Sequence, residues 1–125
     1  MNTADKALHQ FGQDIGIEGL AFGPSRSASL ALSNGRRLGV ECVAGAALVH
    51  LAQRAERDAA SVLLAAWKRA HGQRGGAASI QTSLWSEDSE DWIVAQTRLP
   101  ERSLDAAALR LAVLGLTNWL DRLEA

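Results

Sequence analysis

The chain has 125 residues, which is enough for one domain with its own hydrophobic core and too few for two. Thirteen Lys and Arg against fourteen Asp and Glu give a formal charge of −1. This balance argues against binding to nucleic acid or to a membrane surface, because both need a concentrated positive field. The single cysteine, Cys42, has no partner for an intramolecular disulfide, as is usual in a reducing compartment.

The first predicted element is an amphipathic helix near residues 3–15. Its apolar residues recur at spacings of four, three and four, which places on one stripe Ala4, Leu8, Phe11 and Ile15. Asn2 or Thr3 can cap its start and Gly16 its end. The N-terminus lacks the basic start of a secretory signal, and no run of about 20 apolar residues occurs anywhere. We therefore expect a soluble cytoplasmic protein.

Three strands are predicted next. Alternation of apolar and small polar residues indicates the first of them, at residues 27–32. Asn34-Gly35 follows, a dipeptide that favours positive φ at both turn positions and so predicts a hairpin. The strand at 38–42 returns, and a turn at Ala44-Gly45 leads to a third strand at 47–51.

A middle helix is predicted over residues 54–71 from its Ala-rich composition, and the glycines of residues 72–76 end it. Two further strands are predicted at 79–85 and 92–99, joined by an acidic loop over residues 86–91. Pro100 ends the last strand, because proline lacks the amide that a ladder requires.

The final predicted element is a helix that Ser103 caps, with Asp105 in its first turn. Two apolar stripes cover much of its circumference, one containing Leu111 and Trp119 and the other Leu116 and Leu120, so we expect packing on two sides. The predicted order is α-β-β-β-α-β-β-α, an α+β fold with an antiparallel sheet in a single domain, residues 1–125.

Motifs for catalysis or for metal and cofactor binding are weak. His9, His50 and His71 have no partner at the spacing of a zinc site. The glycine segment lacks the lysine and hydroxyl of a phosphate-binding loop, and the acidic loop lacks the pattern of a calcium site. We therefore expect no metal, no cofactor and no enzymatic activity.

The aromatic composition is more informative, with four Trp, two Phe and no Tyr. Tryptophan is enriched at protein interfaces, because one side chain buries a large area and keeps a polar group. Trp119 is expected in the core. Trp67 suits an interface or the core equally, and Trp85 and Trp92 suit a cross-strand pair that flanks the turn.

Two segments carry a family resemblance: Phe11-Gly12-Gln13-Asp14-Ile15-Gly16-Ile17 at the end of the first helix, and Leu99-Pro100-Glu101-Arg102-Ser103-Leu104-Asp105 before the last. With the order of elements, they resemble class I type III secretion chaperones, and within that family the SycN type. The resemblance implies a bacterial cytoplasmic protein that binds the N-terminal region of a secreted client without nucleotide. It also implies a homodimer, or a heterodimer with a second small chaperone.

This resemblance, with the positions of the aromatic residues, yields two sets of candidate site residues. The predicted dimer contact comprises Leu63, Leu64, Trp67 and His71. The predicted client-binding residues, each of which suits a core equally, are Phe22, Leu30, Leu32, Trp85 and Trp92. Two rival functions stay open. An enzyme requires Cys42 and His50 to converge with a carboxylate in a pocket, and the other rival is a structural or interaction subunit of a larger assembly.

Overall fold

The computed structural model describes residues 2–55, 61, 64, 68 and 80–123. Its helices and strands, in chain order, are α1 (Thr3–Asp14), β1 (Ser27–Ala31), β2 (Arg37–Val43), β3 (Ala46–Arg54), β4 (Gln81–Glu87), β5 (Glu90–Pro100) and α2 (Ala106–Leu123). Within the predicted middle helix, the structure describes Ser61, Leu64 and Lys68, and all three are helical.

The five strands form one antiparallel sheet in the order β1-β2-β3-β5-β4. Helices α1 and α2 lie on one face of it, which we call the helix face; the opposite face is the outer face. Alternate strand residues such as Val40, Val49 and Ala95 share the main core cluster with Leu8 of α1 and Leu116 of α2. The predicted α+β class with an antiparallel sheet is confirmed.

The first turn has one positive φ angle where the sequence predicted two. Asn34-Gly35 does form a hairpin, but only Gly35 has a positive φ, at 87°. The side chain of Asn34 instead accepts a hydrogen bond from the backbone amide of Arg36 (3.0 Å). At the second turn, Ala44 and Gly45 both have positive φ, at 41° and 81°, as a two-residue hairpin requires.

The predicted acidic loop over residues 86–91 is wrong in its length. Only Asp88 and Ser89 form the turn, with φ angles of 49° and 67°. The flanking pairs Ser86–Asp91 and Glu87–Glu90 belong to the β4–β5 ladder. The loop is shorter than predicted because aspartate and serine tolerate the left-handed turn positions.

The two helices begin at polar caps. Asn2 accepts a hydrogen bond from the amide of Asp5 (2.8 Å), and the carboxylate of Asp5 accepts one from the amide of Asn2 (3.1 Å). Helix α2 is capped by Asp105, which accepts from the amide of Ala108 (2.7 Å). The predicted cap at Ser103 is wrong, because Ser103 lies in a 3-10 turn before the helix.

Helix α2 packs against both the sheet and α1. Its buried residues are Leu109, Leu116, Trp119 and Leu120, so the prediction that Trp119 lies in the core is confirmed. Both predicted stripes contribute buried residues, whereas Leu111 is 70% exposed. No described helix is long and apolar enough to cross a membrane.

One buried cation ties the first hairpin to the rest of the domain. Arg36 is 8% exposed, and its Nη2 donates to Oδ1 of Asp121 near the end of α2 (2.7 Å). Its Nε donates to Oε1 of Gln53 in β3 (2.8 Å). The hairpin, the sheet and the second helix are therefore joined by a single side chain.

Candidate functional site

An apolar groove of about 500 Å³ lies on the helix face, where β1 approaches the end of α1 and the middle of α2. Among the described residues that line it, three are polar: Ser33, Arg110 and Thr117. The others are apolar, and they are Phe11, Ile15, Ile17, Leu30, Ala31, Leu32, Leu38, Val113 and Leu114. A concavity with this lining can receive the apolar side chains of another molecule.

The end of α1 shapes one wall of the groove. The amide of Gly16 donates to the carbonyl of Gln13 (3.2 Å), and that of Ile17 donates to the carbonyl of Gly12 (2.7 Å). These two bonds form a Schellman motif, and Gly16 takes the left-handed φ of 83° that this motif needs. The chain therefore turns back at once, which brings Ile17 into the wall.

Two large apolar side chains of the lining are open to solvent. Leu114 is 56% exposed and Ile15 is 41% exposed. A single exposed leucine on a protein surface needs no explanation, but large apolar residues that share one concavity indicate an interaction site.

Arg110 is the one charged residue among the described residues that line the groove. Its Nε lies 4.0 Å from Oδ2 of Asp14, which is too far for a hydrogen bond. The other oxygen of Asp14 accepts a hydrogen bond from Nε2 of Gln10 (3.0 Å). The groove thus has an apolar floor and a cation at its side.

The sheet register separates the predicted client-binding residues. Leu30 pairs with the core residue Leu38 and therefore lies on the helix face. Leu30 and Leu32 both line the groove, and Leu32 also packs against the core. Phe22 is half-buried against the core as well, with the guanidinium carbon of Arg26 4.7 Å from its ring centroid.

The predicted tryptophan pair lies on the outer face. Trp85 and Trp92 are opposite one another in the β4–β5 ladder, as the cross-strand prediction expects. Trp85, on the edge strand, is 44% exposed, whereas Trp92 is 7% exposed. The guanidinium carbon of Arg37 lies 4.2 Å from the ring centroid of Trp92. Neither tryptophan lines the groove.

His50 crosses the outer face between Gly39 and Trp85. The rings of His50 and Trp85 are 5.1 Å apart at an interplanar angle of 65°. A Cβ at position 39 would overlap the imidazole, so glycine at this position lets the ring lie against the strand. Ala52 and Val94 pair with each other on the same face, between the positions of His50 and Trp85 in the register, and both are buried.

The geometry of a cysteine nucleophile with a histidine base does not form. Cys42 pairs with Ala47 and lies on the helix face, whereas His50 lies on the outer face. Burial raises the pKa of the Cys42 thiol, which disfavours the reactive thiolate. Within residues 2–55, 61, 64, 68 and 80–123, no group of three His, Cys, Asp or Glu residues could hold a metal ion.

The predicted dimer residues are described in part. Leu64 is helical and 50% exposed. Leu63, Trp67 and His71 lie outside the described residues.

Several groove residues escape prediction from the sequence. The helical periodicity assigns Ile15 to a core stripe, but periodicity indicates the face of a helix and not whether another element covers it. Leu114 belongs to neither predicted stripe of the last helix. An isolated apolar residue between such stripes is the one local indication of an exposed contact, and it needs the structure to become specific.

The burial of His50 leads to a prediction about pH. Burial lowers the pKa of its imidazole below the usual 6.5, with a smaller opposing effect from Glu41. The unfolded chain therefore takes up a proton at a higher pH than the folded chain. The free energy of unfolding is therefore unaffected by His50 above about pH 6.5, where the ring is neutral in both states. It falls as the pH drops from there toward the folded-state pKa.

We expect His50→Gln to lose less stability than the parent between about pH 7 and pH 5. Urea unfolding of both proteins across this range measures the difference. Curves that stay parallel would show that His50 does not contribute to the pH dependence.

Comparisons with known proteins define the fold more closely. No protein-family model matches the chain, and no curated protein matches it. Solved structures do match, and the fold is that of type III secretion chaperones.

Three of these structures are complexes. A chain of the HopA1–SchA chaperone–effector complex matches with a TM-score of 0.71 and 18% identity, over 98% of this chain and 94% of that chain. A chain of the complex of the Yersinia pestis type III secretion chaperone SycH with a YscM2 fragment gives 0.66 and 10%, over 96% and 98%. A chain of the ExsC–ExsE complex gives 0.67 and 17%, over 96% and 87%. At these identities the likeness establishes the fold.

Proposed function

We propose that this chain is a type III secretion chaperone of the bacterial cytoplasm. It binds the N-terminal region of a secreted effector or gate protein and keeps that client competent for secretion, without nucleotide and without catalysis. The observation that carries the proposal is the apolar groove between α1, β1 and α2. The shared fold supports it, since one matching structure is described as a chaperone–effector complex.

The groove suits a client that has not folded. Apolar side chains of an extended segment can enter it. β1 is an edge strand, and beyond the carbonyl of Ser27, which accepts from the amide of Gly23 (2.9 Å), its outer side can pair with an added strand. Binding of this kind supplies its own free energy and needs no reaction. The separation of Cys42 from His50 agrees with a binding function.

Coexpression with the proteins encoded beside it tests the proposal, followed by limited proteolysis of any complex. We expect protection of roughly 50 residues near the N-terminus of a client, enough to wrap around a chaperone dimer. The affinity should depend weakly on salt, because screening acts mainly on exposed charges. A partner bound only as a folded globular domain, or no partner, would favour a structural subunit of a larger assembly.

The proposal includes a dimer that forms through the middle helical segment, either with a second copy or with another small chaperone of the SycN kind. Its predicted contact residues are Leu63, Leu64, Trp67 and His71, and Leu64 is helical and half exposed. A charge at an exposed leucine does not disturb the core of the monomer. In a dimer contact the same charge is costly, because dimerisation would bury an unpaired carboxylate.

We expect Leu64→Glu to give a folded monomer, measured by light scattering of the purified chain or of the chain with its partner chaperone. Leu111→Glu is the matched control, since it places the same charge on an exposed leucine of α2. The control should keep the parent mass. A parent that is already monomeric in every combination would contradict the dimer.

A further inference from the structure

We propose that the groove selects client segments in which a carboxylate adjoins the apolar residues, and that Arg110 is the residue that binds this carboxylate. The inference rests on the proposed function and specifies the chemistry of the segment that the groove accepts.

The charge in the described lining of the groove is positive. Among its described residues, Arg110 is charged, while the hydroxyl of Thr117 donates to the carbonyl of Val113 within α2 (2.8 Å). An apolar wall lowers the local polarity and strengthens an ion pair formed beside it. A client lysine at this point would meet a like charge, and an uncharged polar residue would gain less, so the lining favours an acidic residue.

The guanidinium is accessible and loosely held. The side chain of Arg110 is 57% exposed, and its Nε lies 4.0 Å from Asp14. A guanidinium presents five donors in a planar fork, which matches both oxygens of a carboxylate. A client carboxylate can therefore approach closer than Asp14 does and form the hydrogen bonds that Asp14 does not.

Asp14 acts as a competitor in this arrangement. Its Oδ1 accepts a hydrogen bond from Gln10, so the carboxylate is directed partly along α1 and not wholly toward Arg110. Its negative charge nevertheless opposes an incoming carboxylate. Substitutions of Arg110 and Asp14 should therefore change the affinity for an acidic segment in opposite directions.

Selection from a random peptide library tests the proposal directly, with the full chain immobilised and peptides of about twelve residues, roughly 40 Å when extended. We expect the parent to select apolar peptides enriched in Glu or Asp. The Arg110→Glu variant should select Lys or Arg at the same place. A selected peptide occupies the groove if substitution of Leu30 or Leu114 weakens its binding.

Affinities of one selected acidic peptide then give the size of the effect. We expect Arg110→Gln to weaken binding about threefold and Asp14→Asn to strengthen it about twofold, as suits an ion pair that is partly exposed. The same peptide with Gln in place of its acidic residue should respond to neither substitution.

The outcomes separate the two proposals. Groove-binding peptides without acidic enrichment, or an unchanged selection by Arg110→Glu, would overturn the role of Arg110 and leave the chaperone function standing. Failure to select any peptide that depends on Leu30 or Leu114 would overturn the groove as a client site, and this inference with it.

Discussion

A variant that combines Leu30→Thr with Leu114→Ser is expected to fold like the parent and to bind its client about 100-fold more weakly. Both leucines line the groove, and neither belongs to the buried core. Full burial of a leucine side chain contributes about 1.5–3 kcal/mol, so the loss of two that are covered in large part by a client gives about 2.7 kcal/mol, which equals a factor of about 100. Titration calorimetry with the client segment found by proteolysis measures the loss.

The matched control combines Val43→Thr with Leu111→Ser. It also replaces one strand residue and one exposed leucine of α2, but neither of its positions lines the groove. We expect its affinity to stay within about threefold of the parent, since residues outside a contact contribute little to binding. Equal losses in the two double variants would show that the client binds elsewhere.

Replacement of the buried cation by Arg36→Met is expected to lower the free energy of unfolding by about 2 kcal/mol. The guanidinium makes charged hydrogen bonds to Gln53 and Asp121, and bonds of this kind contribute about 1.5–3 kcal/mol when they are buried. Asp121 is largely exposed, so water can replace part of the hydrogen bonding that its carboxylate loses with Arg36. We therefore expect a value near the lower end. Urea denaturation followed by tryptophan fluorescence measures the change.

Arg54→Met provides the comparison. Arg54 forms an ion pair with Glu90 at 3.2 Å, but both side chains are about half exposed. Exposed pairs typically contribute between 0 and about 1 kcal/mol, so we expect a small change. If the two substitutions cost the same, burial of Arg36 does not set the strength of its interactions.

The sequence predicted the elements where local chemistry decides them. Alternation and turn residues located the first three strands, because one face of each strand must be apolar and the turn positions restrict the backbone. The start of α2 was harder. Ser103 and Asp105 are both good caps, and the choice between them follows from the 3-10 turn after Pro100, which depends on how the chain leaves β5.

Exposure was the property that the sequence did not determine. Trp85 and Trp92 face each other on the same side of the sheet, yet one is largely open and the other is covered. The difference arises because β5 lies inside the sheet and β4 at its edge. This order makes β3 and β5 neighbours although β4 lies between them in the chain. Ile15 and Leu114 form one groove for a similar reason: tertiary packing brings together residues that lie far apart in the chain.

The groove is formed by residues far apart in the chain, because Ile15 directly follows α1 and Leu114 lies in α2. Synthesis proceeds from the N-terminus, so a chain still on the ribosome can contain α1 and most of the sheet while it lacks the second wall. In such a nascent chain the groove is incomplete. Under the proposed function, the chain can therefore receive a client only after α2 has been synthesised and has packed against the sheet.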